Sequence, residues 1–152
     1  MSEETELNQP SVAKSIAGLH MKAPGSVGDL MEFHVLEECR EKGEYTLRCT
    51  TQEWMRNALG TLHGGMCATI VDQAMGFVAY SYMSGKGTAP TIQMTLNYHK
   101  PFIPGEDVIV RIRVVSKTRN LISMSCEASR ASDPERICLT ASATSFLKKA
   151  AK

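Results

Sequence analysis

The chain has 152 residues and a formal net charge of +1, with 43% hydrophobic and 22% charged residues. This length suits one domain rather than two, and the composition excludes a disordered or fibrous chain. A near-neutral chain lacks the overall basic charge that supports nucleic-acid binding, so no nucleic-acid partner is predicted. The charge is nevertheless uneven, because residues 1–98 sum to −4 and residues 99–152 to +5. The C-terminal part is therefore suited to a small anionic ligand.

The cysteines and the N-terminus bear on the cell compartment. None of the five cysteines forms a C-x-x-C pair, so we predict neither a disulfide framework nor a metal site. Reduced thiols favour a cytoplasmic protein. Residues 1–9 form an acidic tail, predicted to be mobile, with no sign of a signal peptide. No segment approaches the roughly 18 apolar residues of a membrane span, so no membrane partner is predicted.

A short helix is the first predicted element. Val12, Ile16 and Leu19 follow one another at helical spacing, and the small and proline-containing residues 23–26 end the pattern. We therefore assign residues 1–28 to an N-terminal tail and short helix, and residues 29–149 to a single domain.

Alternation of apolar and polar residues dominates the rest of the chain and predicts about six antiparallel strands. Turn-forming residues separate most of them, as at residues 101–105, 117–120 and 132–135. The alternating segments are residues 31–35, 45–49, 91–99, 108–114, 122–128 and 137–143.

Residues 64–83 break this pattern. The segment is rich in alanine and apolar on nearly every side, which predicts one long helix buried in the protein. A sheet with one apolar face needs a cover, and this helix is the only candidate of sufficient size. The sequence therefore predicts an α+β domain in which five or six antiparallel strands wrap around one central helix.

Asp72 is the only charged residue between Met66 and Met83. Because an ionised carboxylate is costly to bury alone, its side chain must be protonated, hydrogen-bonded, or directed at a cavity or a partner chain. One interpretation is a buried aspartate satisfied by a neighbouring hydroxyl. The other is a catalytic base or nucleophile in a cleft.

The sequence His63-Gly64-Gly65 lies where this helix begins. The first backbone N–H groups of a helix have no partner inside it, and glycine allows another atom to approach them closely. Such a position can stabilise a carbonyl oxygen that becomes negative during attack. A histidine and two glycines are also common in ordinary turns, so this signal is weak by itself.

The motif formed by these residues resembles that of the hotdog-fold thioesterases, especially the phenylacetic-acid-pathway (PaaI-like) acyl-CoA thioesterases and related thioesterase superfamily members. Their pattern is N-x-x-G-x-x-H-G-G, with an aspartate eight residues after the first of the paired glycines. The matching positions here are Asn57, Gly60, His63, Gly64, Gly65 and Asp72. The resemblance covers residues 31–148 and implies a hotdog fold for the predicted domain.

The resemblance implies a role for each matching residue in the hydrolysis of acyl-CoA or aryl-CoA thioesters. Asp72 would act as general base or nucleophile, and the N–H of Gly64 would bind the thioester oxygen. His63 would orient the thioester, and Asn57 would help to hold water or substrate. Thr91 stands where relatives often carry a hydroxyl that supports the water.

The resemblance also implies a homodimer, or a dimer of dimers, with the active site shared between subunits. Gly65 and the turn residues Lys117, Arg119 and Asn120 are expected to bind substrate, the turn by contacting the CoA phosphates. No cofactor is expected, because CoA is part of the substrate.

Two alternatives remain open at this stage. A hotdog hydratase or dehydratase would use a histidine base with another acidic partner, a spacing that is absent here. A non-catalytic acyl-CoA-binding module is the second alternative. Regulators of that kind carry a separate DNA-binding domain, for which residues 1–28 are too short.

Overall fold

A computed structural model describes residues 11–151, apart from the side chains of residues 20 and 21. The predicted acidic tail, residues 1–9, lies outside the described residues. In chain order the elements are α1 (Val12–Lys22), α2 (Val27–Leu30), β1 (Phe33–Cys39), β2 (Glu44–Cys49), a 3₁₀ turn (Glu53–Met55), α3 (Gly64–Ser81), β3 (Gly87–Thr88), β4 (Thr91–Tyr98), β5 (Val108–Lys117), β6 (Leu121–Arg130), β7 (Asp133–Phe146) and β8 (Lys148–Lys149).

Six strands form one antiparallel sheet in the order β1-β2-β5-β6-β7-β4. Most apolar side chains of the alternating segments are buried, and α3 packs against β4, β6 and β7. Ile92 and Tyr98 of β4 and Ile137 of β7 are exposed exceptions. Small residues on β7, Ala141 and Ala143, are buried in this layer and leave room for the helix. The predicted hotdog architecture, a sheet wrapped around one long helix with a short N-terminal helix, is confirmed.

The core lies between α3 and the sheet. Its largest buried side chains include Tyr45, Leu47, Phe77 and Met124, each at most 2% exposed. Burying one side chain of this size stabilises the fold by about 1.5–3 kcal/mol. Phe77 also meets Phe33 edge to face, with ring centroids 5.3 Å apart.

Helix α1 packs against α3 and β1. Ser11 caps its first turn by accepting from the N–H of Lys14, and the Glu38 carboxylate accepts from the N–H of Val12 at 3.0 and 3.1 Å. A carboxylate at a helix N-terminus interacts favourably with the helix dipole. Val12 and Ile16 belong to the same buried core as α3, which fixes the position of α1 on the domain.

The structure differs from the sequence prediction in the surroundings of α3. The helix was expected to be buried on all sides, but Gly65 is exposed, and Thr69, Asp72 and Gly76 are only half-buried. These residues share one face of the helix, since they are spaced at three or four positions. Within residues 11–151, no helix combines the length and apolar content that crossing a membrane requires.

Candidate active site

The N-terminal end of α3 is built by a side-chain cap. His63 is the N-cap residue, and its Nδ1 accepts a hydrogen bond from the Gly65 N–H at 2.9 Å. A Cβ at position 65 would lie 3.1 Å from that same Nδ1, so only glycine fits without displacing the ring. The Gly65 amide, predicted to bind substrate, is therefore already occupied by the cap.

The Gly64 N–H is one of the initial helix amides that have no intrahelical acceptor. Among the hydrogen bonds of residues 11–151, none uses this N–H. The Gly64 carbonyl instead accepts from the Tyr98 hydroxyl at 2.8 Å. Position 64 thus presents a backbone donor at the positive end of the helix, as oxyanion stabilisation requires.

Tyr98 is a site residue that the sequence interpretation missed. The alternation of β4 assigned it only to the apolar face of a strand. The structure places its ring 3.7 Å from the position of a Cβ at Gly64, and partial burial raises the pKa of its hydroxyl. No local sequence signal could have revealed the contact, because the two residues are 34 positions apart.

Asn57 closes the loop that leads into the helix. Its side-chain oxygen accepts from the N–H groups of Leu59 and Thr61, at 2.9 and 3.1 Å. Its side-chain nitrogen donates to the Thr61 hydroxyl at 2.9 Å. The amide predicted to hold water or substrate is thus bonded within the loop. Asn57 and Gly64 both line a cleft of about 300 Å³.

The Asp72 carboxylate is half-buried and accepts a hydrogen bond through Oδ1 from the Thr91 hydroxyl at 2.8 Å. Thr91 is the first residue of β4, and its strand position is set by pairing with Ser145 of β7. This geometry is compatible with both interpretations of Asp72. The side chain is satisfied by a neighbouring hydroxyl, and it also lies on the half-exposed helix face, where a catalytic group could reach a substrate. Thr91 occupies the position expected of the supporting hydroxyl.

The two parts of the candidate site are separated within one chain. Gly64 and Asp72 are eight residues apart on α3, which corresponds to about 12 Å along the helix axis. A single carbonyl group cannot contact both. A site that uses both residues therefore requires Asp72 of one copy and Gly64 of another.

The turn of residues 117–120 joins β5 to β6. The Asn120 carbonyl accepts from the Leu147 N–H at 2.7 Å, and Lys117 Nζ lies 5.8 Å from the Tyr82 ring centroid. Because Tyr82 follows the last turn of α3, the turn lies at the opposite end of that helix from Gly64. The structure brings Lys117, Arg119 and Asn120 to the same end of the sheet as Thr91, not to the Gly64 end.

Four of the cysteines are buried in the core. Burial raises the pKa of Cys67 to about 11 and those of Cys49 and Cys126 to about 12. These thiols are therefore protonated at neutral pH and are poor nucleophiles. Within residues 11–151, no three histidine, cysteine, aspartate or glutamate side chains come together as a metal site would need.

The chain is similar in sequence to an acyl-coenzyme A thioesterase. It is 29% identical over 79 residues to acyl-coenzyme A thioesterase 13 from Homo sapiens. The alignment covers 52% of this chain and 56% of the human protein, so the chain spans little more than half the length of this relative.

Solved structures share the fold. A phenylacetic acid degradation-related protein from Ralstonia eutropha superposes with a TM-score of 0.76 at 19% identity, over 90% of this chain and 99% of its own. A Streptococcus mutans protein solved with bound acetyl CoA superposes with a TM-score of 0.67 at 23% identity, over 81% of this chain and 94% of its own.

The family follows from the sequence itself. Residues 59–137, just over half of the chain, match the sequence profile of the Thioesterase superfamily. That segment contains Gly64 and Asp72 together with β4, which carries Thr91. The chain belongs to the thioesterase superfamily, and the family resemblance stated from its motif is confirmed.

Proposed function

We propose that the protein hydrolyses acyl-CoA or aryl-CoA thioesters to the free acid and CoA. The observation that carries the proposal is Asp72, held by Thr91 at 2.8 Å on the half-exposed face of an otherwise uncharged helix segment. The similarity to a human acyl-coenzyme A thioesterase and the fold shared with a protein that binds acetyl CoA support it.

Asp72 supplies the attacking group in this proposal. As a general base, its carboxylate takes a proton from water while the water oxygen adds to the thioester carbonyl carbon. The negative carbonyl oxygen is held by the Gly64 N–H at the helix N-terminus. The carbon–sulfur bond then breaks, and the proton passes to the CoA sulfur. The products are one carboxylic acid and one CoA thiol.

A nucleophilic role for Asp72 uses the same geometry. The carboxylate would attack the carbonyl carbon directly and expel the CoA thiolate, and water would then hydrolyse the resulting acyl anhydride. Both routes need the Thr91 hydroxyl to hold one carboxylate oxygen. They also consume only water besides the thioester, so the proposal includes no cofactor and no metal.

We further propose a homodimer with shared sites, which the separation of Gly64 and Asp72 along α3 supports. Pairing two copies of α3 in antiparallel orientation would bring Asp72 of each copy toward Gly64 of the other. The half-exposed face of α3 suits such contact, because a Cβ at Gly76 would meet nothing within 4 Å. The sheet edge at β4 is also largely exposed, and unpaired strand edges favour pairing with another chain. Dimers could pair further into tetramers.

The charge distribution supports a site for the CoA phosphates. Lys117, Arg119 and Asn120 lie at the Thr91 end of the sheet, within the C-terminal part whose net charge is +5. Arginine and lysine are the usual partners of phosphate groups. We also propose a cytoplasmic location, because the cytosol keeps cysteines as free thiols. Neither a nucleic acid nor a membrane is proposed as a partner.

A thiol-release assay over a panel of acyl-CoA and aryl-CoA thioesters tests this function. The wild type is expected to release CoA from at least one thioester, and Asp72→Ala and Asp72→Asn are expected to lose nearly all of that activity. A folded Asp72→Ala variant with full activity would contradict the mechanism. Tight acyl-CoA binding without thiol release would instead support the binding-module alternative, and water addition to an enoyl thioester would support the hydratase.

A further inference from the structure

A second cleft opens between the N-terminal helices and α3. Its volume is about 270 Å³, and neither the motif nor the proposed chemistry uses it. Phe77, only 1% exposed, and half-buried Leu19 supply apolar surface, and Val27 forms part of the rim with 56% of its surface exposed. The lining also contains the polar side chains of Ser26, Asp29 and Gln73. An apolar group would gain by leaving solvent where it contacts the apolar part of the cleft.

The wall of this cleft is built by an unusually close approach of α2 to α3. A Cβ at Gly28 would lie 3.0 Å from Nε2 of Gln73. A side chain at position 28 would therefore shift the Gln73 amide, which lines the cleft. The Ser26 hydroxyl caps the single turn of α2 by accepting from the Asp29 N–H. The Asp29 carboxylate also accepts from the Gly25 N–H, so this wall has hydrogen bonds of its own.

The cleft and the candidate catalytic carboxylate share the helix α3. Gln73 directly follows Asp72, and Phe77 lies one turn further on, on the same helix face as Gln73. A thioester whose carbonyl carbon is attacked by Asp72 can thus direct its acyl group along α3 toward Phe77. The CoA part would leave the cleft toward solvent.

We infer that this cleft, between α1, α2 and α3, receives the acyl group of the substrate, an inference that rests on the proposed function. Its size sets the substrate class. A cavity of about 150 Å³ is enough for a benzene molecule, so 270 Å³ accommodates one aromatic ring with a short linker or a medium-length alkyl chain. Long-chain acyl groups exceed it. Gln73, Ser26 and Asp29 add polar groups to the lining, so the acyl group would contact its apolar part.

The test compares kcat/KM for acetyl-, hexanoyl-, phenylacetyl- and palmitoyl-CoA. The wild type is expected to prefer hexanoyl- or phenylacetyl-CoA over palmitoyl-CoA. Val27→Trp fills the rim and should lower the hexanoyl-to-acetyl and phenylacetyl-to-acetyl ratios about tenfold or more, since a methylene-sized change in a pocket is worth about tenfold or more. Gly28→Ala should lower the same ratios by a smaller factor, and alanine there does not weaken the helix.

The control is Leu36→Trp, which adds the same indole at an exposed position of β1 that does not line the cleft and should leave the ratios unchanged. If the wild type hydrolyses none of the four thioesters, the proposed function fails and this inference fails with it. If the wild type is active but neither Val27→Trp nor Gly28→Ala shifts the ratios relative to Leu36→Trp, the inference alone is overturned. A wild type that prefers palmitoyl-CoA would also overturn it.

Discussion

The two ends of the candidate site, both on α3, are built in different ways. At the N-terminal end, the functional atom is a backbone N–H, and the contacts that shape it come mainly from neighbouring residues such as the His63 cap. At the Asp72 turn, the functional atom is a side-chain carboxylate, and its partner Thr91 lies 19 residues away on β4. One end depends on a helix cap, and the other depends on how β4 is placed against the helix.

This difference implies different sensitivities to substitution. A backbone donor survives almost any side-chain change and is removed only by proline, which lacks the N–H. A carboxylate held by one hydroxyl is sensitive to the loss of either side chain. Substitutions at each end can therefore separate their contributions, and a mixture of two variants tests whether both ends act on one thioester.

Gly64→Pro is expected to have the largest effect. Proline is favoured at the first helical position, and His63, with φ −60° and ψ 134°, already has the extended conformation that precedes proline. The variant should therefore fold normally while losing one N–H. We expect kcat to fall about 10²–10³-fold, the usual effect of removing one oxyanion donor, as measured by thiol release.

Gly64→Ala is the matched control. Its Cβ would lie 3.7 Å from the Tyr98 ring, an ordinary contact, and the N–H remains. It should retain most of the activity. A folded Gly64→Pro variant as active as Gly64→Ala would exclude this amide as the oxyanion donor.

A mixing experiment asks whether the two ends meet across two chains. Asp72→Ala and Gly64→Pro are each expected to be nearly inactive. In a heterodimer with shared sites, one site carries both defects and the other carries none. Equal amounts with free exchange should recover about one quarter of the wild-type activity, since half of the dimers are mixed and each mixed dimer has one intact site. No recovery in exchanged dimers would place the site within one chain.

Thr91→Val should have a smaller effect at the Asp72 end. Valine keeps the shape of threonine but removes the hydroxyl that donates to Oδ1. A hydrogen bond to a charged group is worth about 1.5 kcal/mol or more, so we expect kcat to fall about tenfold. Thr91→Ser keeps the hydroxyl and should retain most of the activity. Equal losses in both variants would indicate that the methyl group, not the hydrogen bond, is required.

The sequence predicts the N-terminal end of the site better than the Asp72 end, for a physical reason. Local patterns such as His-Gly-Gly before an apolar run report directly on a helix cap, and strict alternation reports on strands. The six strands and the long helix were accordingly predicted. Asp72 was recognisable because one charge among apolar residues needs a partner, but its hydroxyl partner could be named only through the family resemblance.

Other features could not be predicted because they depend on how distant segments meet. The Tyr98 contact with Gly64 requires the end of β4 to lie over the start of α3. The half-exposed face of α3 was expected to be buried because the segment is apolar on nearly every side. Small residues such as glycine and threonine suit a core and a contact with a second chain equally well, so the sequence does not distinguish the two. The cleft beside Gln73 depends on α1 and α2, whose positions on the domain no periodic pattern specifies.

Asn57 gives the smallest expected effect and distinguishes positioning from direct contact with substrate. Asn57→Leu removes two accepted hydrogen bonds and one donated bond within the loop. The free energy of unfolding is expected to fall by about 1–2 kcal/mol, which corresponds to a Tm lower by about 4 °C. Activity should fall a few-fold because His63 shifts with the loop. Asn57→Asp keeps an oxygen for both N–H groups, and the Thr61 hydroxyl can turn to donate to it. This variant should therefore restore both Tm and activity. If Asn57→Asp restores Tm but not activity, the side-chain nitrogen acts on water or substrate, and the N-terminal end of the site then includes a side chain as well as the backbone.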